Sequence, residues 1–269
     1  MMILQGKNAV IFGAGGSLGG SVAQTFAKSG AKVFLSGRTL ESVQKVAEGI
    51  KADGGHADVS EVDALNEQAI KNYVDSIVRK AGTIDICFNA IGLQDTQNIP
   101  LTKMSLADFI RPIKIAMETQ FLTATALGRI MMKQKSGIIL SLTATPGGIG
   151  YPNVGGFGPA CCAIEGFSRD LASELGTYGI RVVNIRSAGS PDSSPFVQAL
   201  ENGGDEVKEF ISKLEEDTML KELPMMVDIA NVATFLASDL AGKITGVTID
   251  VTCGTTAGLN SKVAAIPFR

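Results

Sequence analysis

The sequence predicts an α/β protein, a doubly wound parallel sheet of about seven strands with helices on both faces. Two observations predict it. Short apolar runs alternate with helix-period segments along nearly the whole chain, and the first run leads straight into a glycine-rich turn that opens a helix. Composition agrees: of 269 residues, 45% are hydrophobic, 31 are Gly and only 6% are aromatic, which suits many tight turns around Val-, Ile- and Ala-rich strands. A chain of this length fits one α/β domain with one large core.

Taken in order, strands are expected at 8–12, 32–36, 56–58, 84–89, 137–142, 181–186 and 247–251. Helices fill the intervals. Two are long, 105–133 and 155–178, and the second carries Ile164, Phe167, Leu171 and Leu175 at helical spacing. The stretch 191–224 interrupts the alternation with Gly203, Gly204 and two charged runs. It reads either as a solvated helical pair or as a substrate lid, since it leaves the carboxyl end of a strand, where ligands sit in this class. No repeat, low-complexity tract or linker divides the chain, so 1–269 reads as one domain.

A net charge of −3 offers no field for nucleic acid or anionic lipid. No apolar run reaches the ~18–20 residues of a membrane span, and residues 1–7 lack the basic start and apolar core of a secretory signal. A cytoplasmic location is expected. Cys87, Cys161, Cys162 and Cys253 form no CxxC pair, and His56 is the single histidine. No metal site is expected, and the thiols read as reduced, small apolar residues.

The strongest local signal runs from Asn8 through Gly13, Gly15, Gly16, Ser17, Leu18 and Gly19. Gly13 permits a sharp turn, Gly15 and Gly16 let backbone amides approach a pyrophosphate, and Gly19 lets the helix lie close to the sheet. Leu18 occupies the third position of the three-glycine spacing found in larger dehydrogenases. The competing reading is a structural turn without ligand. After the second strand comes Gly37-Arg38, with no carboxylate to accept ribose hydroxyls. A fixed cation there suits bidentate contact with a 2′-phosphate and favours NADP(H) over NAD(H); the alternative is an ordinary surface cation.

Along residues 5–255 these features resemble the short-chain dehydrogenase/reductase family, a Rossmann-type fold. Its Thr-Gly-x-x-x-Gly-x-Gly turn is matched by Phe12, Gly13, Ser17 and Gly19, with two of the four marked positions changed. Asp58-Val59 resembles the pair that contacts adenine, and Asn89-Ala90-Ile91-Gly92 the family's segment after strand four. Ser187-Ala188-Gly189 stands at its Pro-Gly turn, and Ser193 near the threonine on the nicotinamide side. The resemblance implies a small-molecule substrate, a nicotinamide cofactor held by these positions, and a homodimer or homotetramer built on the long helices and the apolar tail 263–268.

The resemblance breaks at the catalytic centre. The family's Asn, Ser, Tyr and Lys fall here on Ala116, Ala144, Phe157 and Cys161. Phe157 has no ionisable hydroxyl, Ala144 no donor, and Cys161 no ammonium to lower a neighbouring phenol. Replacement donors are Tyr151, six residues before Phe157, and Thr143 and Thr145 flanking the serine position. Cys161 as a nucleophile has no visible base to form its thiolate. Two functions compete: an NADP(H)-dependent reductase of a carbonyl or activated C=C bond with an atypical centre, and a catalytically silent dinucleotide-binding sensor or scaffold. The family's habit puts the enzyme first.

Overall fold

The computed structural model describes residues 2–258. Strand β1 (Asn8–Phe12) leads to helix α1 (Ser17–Lys28), then β2 (Lys32–Gly37), α2 (Leu40–Ala52), β3 (His56–Glu61), α3 (Glu67–Ala81) and β4 (Ile86–Asn89). The second half runs α4 (Leu106–Gln134), β5 (Gly137–Ala144), α5 (Phe157–Leu175), β6 (Ile180–Ser187), α6 (Ser194–Asn202), α7 (Gly204–Glu216), α8 (Met226–Ala237) and β7 (Thr248–Val251). The seven strands pair in parallel in the order β3-β2-β1-β4-β5-β6-β7.

Period-two side-chain alternation explains why the central strands are apolar throughout. In β1, Ala9 and Ile11 face Val22 and Phe26 of α1 and Ile229 of α8. Val10 and Phe12 face the opposite layer, with Ile70, Tyr73 and Ile77 of α3, Leu127 of α4 and Leu171 of α5. Both faces of the sheet are therefore covered, and the few buried polar residues of the strands, Ser141 and Asn184 among them, are hydrogen-bonded. The strand order reverses between β1 and β4, which places a crevice at the carboxyl ends of those two strands.

All seven expected strands are present, with shifted ends. β3 continues to Glu61, past the expected residue 58, because its partner β2 runs to Gly37, whose carbonyl then accepts the Val62 N–H at 2.9 Å. β5 extends to Ala144 and β6 to Ser187, paired with each other to the last residue. Helix α5 stops at Leu175, and a short 3₁₀ turn, Gly176–Tyr178, covers the rest of the expected segment.

The insertion is a helical pair, α6 and α7, with one apolar side. Ile211 and Leu223 are buried with Ala188, against Phe196, Leu200, Val207 and Leu214. The pair packs over the carboxyl end of β6 rather than standing free in solvent. Among the described residues, no helix is long and apolar enough to cross a membrane, and no group of three or more His, Cys, Asp or Glu could hold a metal ion. The tail 263–268 lies outside the described residues.

Candidate functional site

The turn after β1 is built on close backbone approach. Gly13 has φ +75°, and a Cβ there would strike the carbonyl of Ala90 beyond β4. A Cβ at Gly19 would collide with the Gly13 carbonyl oxygen. The start of α1 thus lies directly on the turn, with its free amides at the carboxyl edge of the sheet. A cleft of 520 Å³ opens there, lined by Gly13, Gly15, Gly16, Arg38, Ala90 and Gly92, all six predicted from the sequence. Arg38 is exposed on its rim, with no hydrogen bond or ion pair among the described residues. Thr39 and Ser42 follow, their hydroxyl oxygens 2.9 Å apart at the start of α2.

Several predicted positions lie elsewhere. Asp58 and Val59 are internal to β3, and Asp58 pairs with Lys80 at 3.3 Å, outside the cleft. Asp63 and Ala64, five residues further on, line the cleft instead; the longer β3 moves the strand's end to them. Asn89 closes the floor of the site from behind. Its side chain donates to Thr123 Oγ1 at 2.9 Å and accepts the Ile91 N–H at 3.1 Å, fixing the turn that carries Ala90 and Gly92. Ser17 and Leu18 open α1 beside the cleft. The Ser17 Oγ lies 2.6 Å from Ser194 Oγ and accepts the Ser194 N–H at 2.9 Å, joining the glycine turn to the start of α6. Ser193 is the residue before that helix and lines neither cavity.

A second chamber, of 270 Å³, opens at the carboxyl ends of β5 and β6. Ala144, Thr145, Tyr151, Phe157 and Gly189 line it, together with Phe196, Phe210 and Asp217 from the insertion. Ala144 and Phe157, the positions where the resemblance puts the family's Ser and Tyr, both reach this wall. Ala116 is completely buried with Leu93, Ile115, Ala160 and Ile164, against which Phe157 packs. Cys161 is 1% exposed, and burial pushes its thiol up to about 12, only partly offset by the Ala144 backbone. Of the four positions only Ala144 and Phe157 reach the chamber, Ala116 and Cys161 being buried, and none of the four supplies an ammonium or a ready acid or base.

The proposed replacement donors separate. Tyr151 and Thr145 reach the chamber. The half-buried Tyr151 phenol is raised above its ordinary value, chiefly by desolvation and then by the charge of Asp217. Thr143 does not reach it, which corrects the expectation. Adjacent residues of a strand point to opposite faces, so Thr143 turns away from the side that Ala144 presents. It donates to Glu165 Oε1 at 2.9 Å and accepts from Asn184 Nδ2 at 2.7 Å.

That bond belongs to a buried network that sequence reasoning missed. Arg186 donates to both Glu165 oxygens, through Nε at 3.0 Å and Nη2 at 2.6 Å, and its Nη1 reaches Asp250 at 3.0 Å. Ser141 donates to Asn184 Oδ1 at 2.8 Å and lies 2.8 Å from Ser168. Gly147 lies against the Glu165 carboxylate and Gly148 against the Arg186 guanidinium, so the turn carrying Thr145 rests on this ion pair. The available signal was Asn184 and Arg186, two polar residues in the otherwise apolar stretch 182–186.

Fold and cleft together define a Rossmann-type chain with its crevice at the topological switch point. A family model described as Enoyl-(Acyl carrier protein) reductase matches residues 13–256. The 2,3-dihydro-2,3-dihydroxybenzoate dehydrogenase of Bacillus subtilis is 30% identical, the match covering 95% of this chain and 98% of the relative. Secoisolariciresinol dehydrogenase of Forsythia intermedia is 32% identical over 90% of this chain and 86% of its own. Among solved structures, an NAD+-bound xylitol dehydrogenase superposes with a TM-score of 0.87 at 26% identity, covering 93% of this chain and 99% of the other. The protein belongs to the short-chain dehydrogenase/reductase family. It is an oxidoreductase-type chain of a family that uses a nicotinamide dinucleotide.

Proposed function

We propose that the protein is an NADP(H)-dependent oxidoreductase that reduces a carbonyl or activated C=C bond of a small substrate through an atypical centre. The observation that carries this reading is the placement of Tyr151 on the wall of the second chamber, beside the apolar surface of Ala144 and Phe157. The cofactor supplies hydride when bound. Gly13, Gly15 and Gly16 would cradle its pyrophosphate, and the unpaired Arg38, with Thr39 and Ser42 beside it, would hold a 2′-phosphate. Tyr151 would give its phenolic proton to the reacting oxygen or enolate, and Thr145 would orient that oxygen. With no ammonium beside it and a raised pKa, Tyr151 is a phenol built to stay protonated, which suits reduction better than the reverse reaction.

The four apolar positions at 116, 144, 157 and 161 favour a second reading, a protein that binds the nucleotide and turns nothing over. One experiment separates the two. NADPH binding is measured by calorimetry, and NADPH oxidation is followed at 340 nm against ketones, enones and enoyl thioesters, with wild type and Tyr151→Phe. The enzyme reading expects turnover that the variant lowers by roughly 10²–10⁴. Binding without turnover establishes the silent reading, and full activity in the variant removes Tyr151 as donor.

Four free thiols support a reducing, cytoplasmic location. Self-association through the α4 and α5 face is supported by Phe121, 54% exposed, whose ring centroid lies 6.4 Å from that of Phe167.

A further inference from the structure

The second chamber has an unusual balance of charge. Among the described residues its rings are Tyr151, Phe157, Phe196 and Phe210, its one acidic side chain is Asp217, and no Lys, Arg or His lines it. The side chain of Asp217, half-buried at the end of α7, makes no hydrogen bond or ion pair among the described residues, while its N–H caps the helix on the Lys213 carbonyl at 3.0 Å. The exposed Lys221 donates to the carbonyls of Glu216 at 2.6 Å and Thr218 at 2.7 Å, on either side of Asp217, and makes no ion pair with the Asp217 carboxylate. The Asp217 charge is felt inside the chamber, where it helps hold up the Tyr151 phenol.

An unpaired carboxylate on an apolar wall is costly unless its counter-charge arrives from outside. Aromatic faces attract cations through their quadrupoles, and together with a carboxylate they form the chemistry that recognises an ammonium. Taking the chamber as the substrate site of the reading above, we infer that its substrate is a small apolar molecule carrying a positively charged nitrogen. The 270 Å³ volume lies just under the roughly 300–1,000 Å³ of drug-sized sites, so the molecule is small, of one or two rings. Anionic substrates meet repulsion from Asp217, with no cation on the wall among the described residues to offset it. Carboxylates, phosphates and phosphate-bearing thioesters are therefore disfavoured, which narrows the acyl option.

The test uses the full chain saturated with NADPH. Three probes of similar size are titrated by saturation-transfer NMR: phenyltrimethylammonium, its neutral isostere tert-butylbenzene, and benzoate. The expected order of affinity is cation, neutral, anion, with the cation favoured over its isostere about tenfold. Asp217→Asn should remove most of that preference and leave tert-butylbenzene unchanged. The Asp217 side chain bonds to no described residue and its capping N–H is kept in the variant, so the variant should fold, and a melting curve checks this. Phe210→Leu, at a ring 54% exposed, is the second variant and should weaken the cation alone. Benzoate binding as well as the cation, or an unchanged ranking in Asp217→Asn, overturns the inference. Repeating the titration without nucleotide distinguishes the two failures. If NADPH does not bind but the ranking persists, the cofactor reading falls and the cation site stands.

Discussion

The buried pair Glu165–Arg186 supports the turn that delivers Thr145 and leads to Tyr151, so its removal is the sharpest structural test of the site. The side chains of Glu165 and Arg186 are 9% and 12% exposed, and Asp250, the second partner of Arg186, is 37% exposed. Breaking a buried pair by deleting one partner costs about 3–5 kcal/mol when the survivor is left uncompensated. In Glu165→Leu the guanidinium keeps Asp250 but loses a bidentate carboxylate, and Thr143 loses its acceptor. The expected loss is therefore smaller, about 2–3 kcal/mol. For a domain of this size each kcal/mol lowers Tm by roughly 2–4 °C, giving a drop of about 4–12 °C.

Arg186→Met should cost a similar amount, since it strands the Glu165 carboxylate beside a single hydroxyl donor. The double variant Glu165→Leu/Arg186→Met leaves no buried charge unpaired, because Asp250 is exposed enough to stay hydrated. Replacing both ions by apolar groups of similar volume is often neutral. The double variant should then be more stable than either single one. Melts followed by circular dichroism, with urea titrations to check the slope, measure all four corners of the cycle. Additive losses, or a Glu165→Leu melt within about 1 °C of wild type, refute the claim that this pair carries the turn.

Two further outcomes follow from the site. Arg38→Ala should weaken NADPH binding by about tenfold, the loss of an exposed charge-assisted contact, while NADH binding stays constant; equal losses for both nucleotides would remove Arg38 from the 2′-phosphate site. Burial pushes the thiols of Cys87 and Cys161 up to about 12 from an ordinary 9.0. At pH 8 iodoacetamide should therefore label the exposed Cys162 and spare those two, as peptide mass spectrometry would show. Because both folded-state values are raised, their contribution to stability is complete below about pH 9. It is lost as pH climbs towards about 12, so urea midpoints should fall over that window.

The sheet was legible because its signal is local. Each βα unit announces itself by an apolar run and a turn, and Gly13 to Gly19 mark the one turn that backbone crowding against Ala90 reserves for glycine. The end of β3 was not legible. Only Ala57 is buried there, with Asp58, Val59, Ser60 and Glu61 partly or fully in water, so no apolar run shows where the strand stops. That is why the acidic position at the cleft was placed at Asp58 rather than Asp63. Thr143 failed for a different reason. Its spacing was right to within one residue, but strand alternation makes one residue the difference between the two faces. Phe210 and Asp217 share a face of α7 at i, i+7, but Phe196 comes from α6, and nothing in the spacing says that the two helices meet over the end of β6.

The polar residues around β5 have a division that bears on chemistry. Ser141 and Thr143 point into the network with Ser168, Asn184, Glu165 and Arg186, where each of these side chains has a partner. Ala144, on the other face, meets Phe157 at an apolar wall. A satisfied network of this kind is rigid and gives up no proton without leaving a buried group unpaired. On the proposed function, the strands and the core of α5 would contribute orientation, and acid chemistry would fall to the segments that close the chamber, the loop bearing Tyr151 and the insertion bearing Asp217. The insertion is tied to the glycine turn by Ser17 with Ser194. The position that the family gives to glycine here carries a hydroxyl that ties the nucleotide cleft to the chamber wall, so the shape of one site is fixed in part by the geometry of the other.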